Sequence, residues 1–102
     1  MEKTIAGKKV DVTEDGYLVN PSEWTTEIAA ELASDEGIEL TDKHFEVLEY
    51  LRSKHEEGAS LTIRLVGKSG IVDIKQFYQL FPGGPLKKAS KIAGIPKPSS
   101  CV

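Results

Sequence analysis

Residues 78–102, YQLFPGGPLKKASKIAGIPKPSSCV, combine a break in regular structure, a helix and an extended segment. The PGGP motif at 82–85 interrupts any helix before it, because proline and glycine both disfavour helix interiors. Pro85 then suits the first turn of a new helix, and Gly94 suits its end. We therefore predict a last helix whose apolar stripe contains Leu86, Ala89, Ile92 and Ala93.

The C-terminal segment, residues 95–102, follows that helix and carries the chain's single cysteine, Cys101. Pro96 and Pro98 favour an extended, polyproline-like path, so we predict a flexible arm that exposes the thiol. A thiol reacts as its thiolate, and reactive cysteines are usually partly exposed. Cys101 is therefore the predicted reactive residue, and an incidental tail cysteine is the alternative interpretation.

The residues before this stretch predict strands first and helices after. Alternating apolar residues between turn residues indicate three short strands of a meander, at 3–5, 8–12 and 17–19. Four helices are predicted to follow, from Asn20 to Gly37, from Thr41 to Gly58, from Ser60 through LTIRLVGK, and over DIKQFYQLF. The predicted fold is α+β, a small N-terminal antiparallel β-meander packed on a bundle of about five helices, with an extended mobile C-terminal arm.

The length and composition bound the class of protein. A chain of 102 residues allows one domain, which we take to be 1–102 with a flexible arm at 95–102. No apolar run approaches the roughly 18 residues of a membrane span, and the first twelve residues lack the apolar core of a secretory signal. One cysteine cannot form an internal disulfide, so we expect a cytoplasmic protein in a reducing environment.

Charge is distributed unevenly along the chain, whose formal net charge is −3. Residues 1–62 hold six Lys/Arg and fifteen Asp/Glu, a net of −9, whereas residues 63–102 hold seven Lys/Arg and one Asp, a net of +6. Such asymmetry favours a C-terminal part that meets an anionic partner. The alternative is that the two parts neutralise each other within one fold.

Metal chemistry finds no support in the pattern of ligating residues. His44 and His55 are 11 residues apart, about three helical turns, which is too far to chelate one ion. With a single cysteine there is no zinc-binding spacing either. We therefore predict no metal and no cofactor, and we interpret both histidines as ordinary helix residues.

The two short helices at 60–81 leave a further alternative open. They could form a helix-turn-helix, with Lys75, Gln76 and Tyr78 on the second helix contacting a DNA groove. Against this, the acidic first part of the chain would repel phosphates. Direct binding of nucleic acid is therefore not the expected role.

The same C-terminal stretch resembles the C-terminal region of the DsrC/TusE family of sulfur-carrier proteins. The resemblance rests on the LFP-x-GP block at 80–85, the KIAG block at 91–94 and the ending PKP-x-x-CV. Weaker similarity covers DGYL at 15–18, the helix start at Trp24 and EGIELTDKHFEVLEYLR at 36–52. The resemblance implies a small β-sheet on a helical bundle, with a mobile arm whose penultimate cysteine carries sulfur.

Cys101 matches that sulfur-carrying cysteine. By the resemblance, it would accept sulfur as a persulfide from a donor complex of the TusBCD or DsrEFH type. It would then pass the sulfur to an acceptor enzyme, either a tRNA thiouridylase or a siroheme sulfite reductase. Such a carrier is a co-substrate rather than a stand-alone enzyme. A non-catalytic docking or regulatory module of a sulfite reductase is the alternative.

Ser90 marks a departure from part of the family. Members that work with dissimilatory sulfite reductase usually have a second cysteine eleven positions before the penultimate one, and here that position is Ser90. The resemblance is therefore to the single-cysteine, TusE-type branch. From charge alone we further infer a basic partner-binding surface that comprises Arg64, Lys68, Lys87, Lys88, Lys91 and Lys97.

Overall fold

A two-stranded antiparallel sheet opens the fold in the computed structural model, which describes residues 1–98. Strand β1, Glu2–Ile5, pairs with strand β2, Lys8–Asp11. Ala6 and Gly7 join the strands with φ values of 52° and 77°, the left-handed backbone that a two-residue hairpin turn requires. Ile5 and Val10 are buried on the inner face of the hairpin.

The third predicted strand is reduced to a single bridge between Val12 and Leu18. A tight turn brings these residues together, because the Gly16 N–H donates to the Thr13 carbonyl at 2.9 Å. Pro21 starts a 3-10 helix soon after the bridge, so the chain leaves the sheet before a longer ladder can form. The predicted α+β class is confirmed, with one strand fewer than the meander contained.

Five α-helices follow within residues 1–98. They are α1, Thr26–Asp35; α2, Asp42–Glu56; α3, Ile63–Gly67; α4, Ile74–Leu80; and α5, Pro85–Ile92, and the 3-10 helix Pro21–Glu23 precedes α1. None of the helices in this part of the chain is long and apolar enough to cross a membrane.

Side-chain caps explain where most of these helices begin. Thr41 caps α2 as predicted, since its hydroxyl accepts a bond from the His44 N–H. The predicted starts at Asn20 and Ser60 are wrong: Thr25 caps α1 and Thr62 caps α3. Pro21 does begin a helical turn, but it is a 3-10 turn that ends before Thr25.

Helix α5 lies at the centre of the helical body and packs against α1, α2 and α4. Its predicted apolar stripe, Leu86, Ala89, Ile92 and Ala93, is fully buried. The stripe joins one hydrophobic cluster that also includes residues from the hairpin and from the other four α-helices. Because α5 is held on several sides, its C-terminal end is a fixed point from which the C-terminal segment starts.

Candidate functional site

The C-terminal segment begins as irregular chain attached to the core. Residues 95–98 form neither helix nor strand, and their extended, polyproline-like path stays a prediction. Ile95 is only 1% exposed, and Pro98 is also buried, whereas Pro96 and Lys97 face solvent. Cys101, the predicted reactive residue, lies outside the described residues. Flexibility of residues 95–102 stays a prediction.

Two side chains hold the helix end that precedes this segment. The indole N–H of Trp24 donates to the Ile92 carbonyl at 2.8 Å, and Arg52 Nη1 donates to the Ala93 carbonyl at 2.8 Å. The guanidinium carbon of Arg52 also lies 4.4 Å from the centroid of the Trp24 ring, within the range of a cation–π contact. We call Trp24 and Arg52 the clamp.

Arg52 connects three parts of the fold. Its Nη2 donates to the Pro21 carbonyl at 3.1 Å, so one α2 side chain ties the 3-10 helix to the end of α5. Burial lowers the pKa of the Arg52 guanidinium, and nearby Glu56 acts in the opposite direction. Because arginine stays protonated in proteins, the group keeps its full set of N–H donors.

A basic cavity lies beside α5. This surface cavity has a volume of about 290 Å³, and four of the six predicted partner-binding residues line it. The lining consists of Asp15, Tyr17, Glu36, Gly83, Lys87, Lys88, Lys91 and Lys97. Three of these lysines come from α5 and the fourth from the C-terminal segment, so the cavity and the segment are neighbours.

The four lysines of the basic cavity differ in their partners. Lys91 Nζ lies 3.3 Å from Glu36 Oε1, and Lys97 Nζ lies 3.3 Å from Asp15 Oδ2. Lys87 and Lys88 take part in none of the ion pairs found within residues 1–98. Their charges are therefore available to an anionic partner.

Arg64 and Lys68 are not part of this cavity. Both lie on or next to α3 and are exposed, and neither lines the basic cavity. The structure thus brings together four predicted basic residues and leaves two on another helix. A charge count along the sequence treats all six alike because it contains no information on which helices are neighbours.

Residues that the sequence interpretation missed surround the same region. Tyr17 is buried, and its hydroxyl donates to the Lys87 carbonyl at 3.2 Å across 70 positions of sequence. Asp15 and Glu36 contribute acidic groups to the cavity. The sequence signal for Asp15 and Tyr17 is the DGYL motif at 15–18, which is part of the family resemblance.

His44 has a structural role. Its Nδ1 accepts from the Thr41 N–H at 3.1 Å and its Nε2–H donates to the Leu80 carbonyl at 2.8 Å. These bonds fix the neutral Nε2–H tautomer and link α2 to the end of α4. Among residues 1–98 no group of three His, Cys, Asp or Glu side chains could hold a metal ion.

The helix pair α3 and α4 presents a separate exposed surface. Ile74 and Tyr78, one helical turn apart on α4, are each 46% exposed. Gln76 is engaged locally, since its side chain accepts from the Asp73 N–H in a capping box. Of the three residues suggested for a DNA groove, Gln76 is therefore partly committed to its own helix.

Fold and site together define a small α+β body that presents a terminal segment bearing one cysteine. A family model described as "DsrC like protein" matches residues 4–102. The sulfurtransferase TusE of Yersinia pseudotuberculosis is 38% identical, over 94% of this chain and 96% of that protein.

Solved structures agree with the sequence comparison. Allochromatium vinosum DsrC, solved by NMR, superposes with a TM-score of 0.83 at 36% identity, with 100% of both chains covered. The oxidized gamma subunit of the dissimilatory sulfite reductase (DsrC) from Archaeoglobus fulgidus gives a TM-score of 0.82 at 37% identity, again over 100% of both chains. The chain belongs to the DsrC-like family.

Proposed function

We propose that this protein is a sulfur-relay carrier whose Cys101 holds the transferred sulfur. The observation that carries the proposal is the family match, which spans residues 4–102 and so includes the penultimate cysteine. The sulfurtransferase name of its relatives supports the same role. Cys101 is the only thiol in the chain, so the sulfur has no other cysteine on which to reside.

The chemistry is thiol exchange at a persulfide. The Cys101 thiolate attacks the outer sulfur of a donor persulfide, R–S–SH, and a new S–S bond forms to Cys101 as the donor's S–S bond breaks. The donor leaves as its thiolate, and Cys101 becomes a persulfide with no net oxidation or reduction. An acceptor enzyme then takes the outer sulfur and returns Cys101 to a thiol.

The basic cavity is the proposed docking surface for the proteins that donate or accept sulfur. It is lined by α5 and the C-terminal segment, and Lys87 and Lys88, which form no ion pair within residues 1–98, favour an anionic partner surface. Lys91 and Lys97 supply further charge but already bind Glu36 and Asp15. Arg64 and Lys68 would extend the contact only for a partner that also reaches α3.

Two contexts fit the carrier. Relatives named TusE suggest a relay with a TusBCD-like donor and a tRNA thiouridylase as acceptor, and relatives named for dissimilatory sulfite reductase suggest that enzyme and a DsrEFH-like donor. Ser90 favours the first context, because a bridge between positions 90 and 101 needs a cysteine at both.

The test is the intact mass of the protein after incubation with a cysteine desulfurase, cysteine and a persulfide relay protein. We expect a gain of about 32 Da per sulfur atom that a reductant removes. The Cys101→Ser variant, folded to the same extent, should show no gain. Absence of the gain with every protein donor would contradict carrier chemistry at Cys101.

A docking or regulatory module is the second candidate. The exposed pair Ile74 and Tyr78 on α4 favours it, because solvent-facing apolar side chains on one helix face are typical of a contact surface. Such a module would keep its function in Cys101→Ser and lose it in a double variant of Ile74→Ser and Tyr78→Ser. A sulfur carrier would lose its function in Cys101→Ser and keep it in the double variant.

A further inference from the structure

The end of α5 has all four of its terminal carbonyls bound. A helix leaves its last four carbonyls without partners in the helix, here those of residues 90–93. The Ile95 N–H donates to the Ser90 carbonyl and the Gly94 N–H to the Lys91 carbonyl, both at 3.2 Å. This pair of bonds is a Schellman motif, with Gly94 in the left-handed region at φ 72°.

The clamp binds the other two carbonyls, those of Ile92 and Ala93. Its residues come from parts of the chain far from α5 in sequence, since Trp24 is 68 positions from Ile92 and Arg52 is 41 positions from Ala93. A local motif therefore ends the helix, and two distant side chains fix the orientation of that end relative to the rest of the fold.

Close packing around Gly94 also restricts the backbone at the end of α5. A Cβ at position 94 would lie 2.5 Å from Trp24 Cδ1 and 2.9 Å from its Cβ and Cγ, so the indole ring lies directly against the glycine backbone. The next residue, Ile95, is buried in the core. The direction in which the chain leaves α5 is thus set by the clamp from one side and by the core from the other.

We propose that Trp24 and Arg52 are positioning residues for sulfur transfer, which act by fixing the direction of the C-terminal segment relative to the basic cavity. The effect on sulfur transfer rests on the proposed function, whereas the effect of the clamp on the direction of the segment does not. Residues 95 to 101 are few, so a change in direction at Gly94 changes where Cys101 can reach. A protein partner that binds the cavity and the segment together requires both in one arrangement.

Loss of one clamp bond should lower the population of the docking arrangement. A buried carbonyl left without its donor is unfavourable, so the helix end should leave its native position in part of the population. If the competent arrangement falls to about a tenth of the population, the apparent affinity for a protein donor falls about tenfold. A small reagent that needs no docking should react with Cys101 at an unchanged rate.

Each clamp variant removes the hydrogen bonds of one clamp residue and keeps its ring or its charge. Trp24→Phe keeps a ring beside Gly94 and beneath Arg52 but lacks the N–H that binds Ile92. Arg52→Lys keeps the charge but cannot reproduce the two bonds of the guanidinium fork. Lys54→Gln is the control, because it removes a charge from the same helix at a residue that binds Glu57 and not α5.

The first measurement compares two reactions of Cys101 at a temperature where urea titration shows every variant folded. We expect Trp24→Phe and Arg52→Lys to raise KM for the persulfide relay protein about tenfold with little change in kcat. Alkylation by iodoacetamide should keep its wild-type rate, and Lys54→Gln should match the wild type in both reactions. Wild-type KM in both clamp variants, or equal losses in both reactions, would overturn the proposal.

A second measurement reads the geometry without sulfur chemistry. A nitroxide attached to Cys101 broadens the NMR signals of nearby amides, so its pattern maps where the segment reaches. We expect broadening around the basic cavity in the labelled wild type, and weaker, more widely spread broadening in both clamp variants. An identical pattern in wild type and variants would overturn the proposal. If the wild type accepts no sulfur from protein donors, the proposed function fails while this pattern still decides the role of the clamp.

Discussion

Ser90 has a buried hydroxyl group that forms no hydrogen bond with the described residues. Its side chain is fully buried on α5, and its hydroxyl oxygen is the one buried side-chain nitrogen or oxygen atom in residues 1–98 without a hydrogen-bond partner. Buried hydroxyl groups normally have a partner, since leaving one unsatisfied costs free energy. The position where some family members have cysteine is therefore occupied here by a polar group in an apolar site.

Replacing Ser90 by alanine should stabilise the protein. Removal of an unsatisfied buried hydroxyl should raise the free energy of unfolding by about 1 kcal/mol, in addition to a gain of up to about 0.5 kcal/mol from helix propensity. Equilibrium urea unfolding measures the sum. Ser53→Ala, at an exposed position of α2, measures the propensity part alone, and an equal effect at both positions would contradict the argument.

Gly94 should tolerate no side chain. Gly94→Ala would place a methyl group against Trp24 and force a left-handed conformation at φ 72°. Left-handed strain costs about 1–2 kcal/mol, and overpacking typically costs a further 1–3 kcal/mol or so. Gly58→Ala is the matched control, because Gly58 has φ 80° with open space around it. Urea unfolding should show the larger loss at position 94, and similar losses would rule out the contact with Trp24 as its cause.

At the scale of the elements, local signals predicted most of the helices but not every start. Thr41 was identified as the cap of α2, because a threonine before an amphipathic stripe is a local pattern. Asn20 is the start that the sequence predicts for the helix containing α1, since Pro21 suits a first helical turn. Proline did start a helical turn, yet it fixes only φ and not the type of helix that follows.

The sequence patterns do not predict contacts between elements that are distant along the chain. In the sequence, Trp24 marks only a helix start, and Arg52 is one of the six Lys/Arg residues counted in 1–62. Their bonds to the end of α5 join residues 41 to 68 positions apart, and helical periodicity describes only neighbours within a few turns. The clamp therefore depends on the packing of distant elements against α5, which no local pattern in the sequence encodes.

Charge reversal on α5 tests the docking surface. Lys87→Glu with Lys88→Glu puts anions in place of the two cavity lysines that have no ion pair among the described residues, and like charges across an interface disfavour binding. We expect sulfur transfer from a protein donor to slow by about tenfold or more, chiefly through slower association. Lys9→Glu on the exposed hairpin is the control. Unchanged transfer in the α5 variant would exclude the cavity as the docking surface.

Across the whole molecule, the uneven charge along the chain is only partly cancelled by folding. Lys91 and Lys97 bind Glu36 and Asp15 from the acidic part, so the alternative of mutual neutralisation is correct for these two lysines. Lys87 and Lys88 have no such partner among the described residues. The excess of positive charge in residues 63–102 is evident from the sequence, but which lysines form ion pairs depends on the fold.

Added salt should slow sulfur transfer from a protein donor without changing the stability of the fold. Raising NaCl from about 50 mM to about 500 mM shortens the screening length to a few ångströms, so transfer from a protein donor should slow by about tenfold. The free energy of unfolding should change little, because the ion pairs are mostly exposed and each contributes under about 1 kcal/mol. Stopped-flow transfer and urea unfolding in the same buffers give both numbers, and salt-independent transfer would argue against electrostatic docking.

The clamp also gives the protein an optical reporter of its own. Trp24 is the only tryptophan in the chain, and its ring lies beneath a cation with its N–H bound to the helix end. The emission of an indole responds to nearby charge and to hydrogen bonding at its nitrogen. Any event that disturbs the end of α5 should therefore shift the intrinsic fluorescence, so that the seating of the C-terminal segment can be followed in real time without an attached dye.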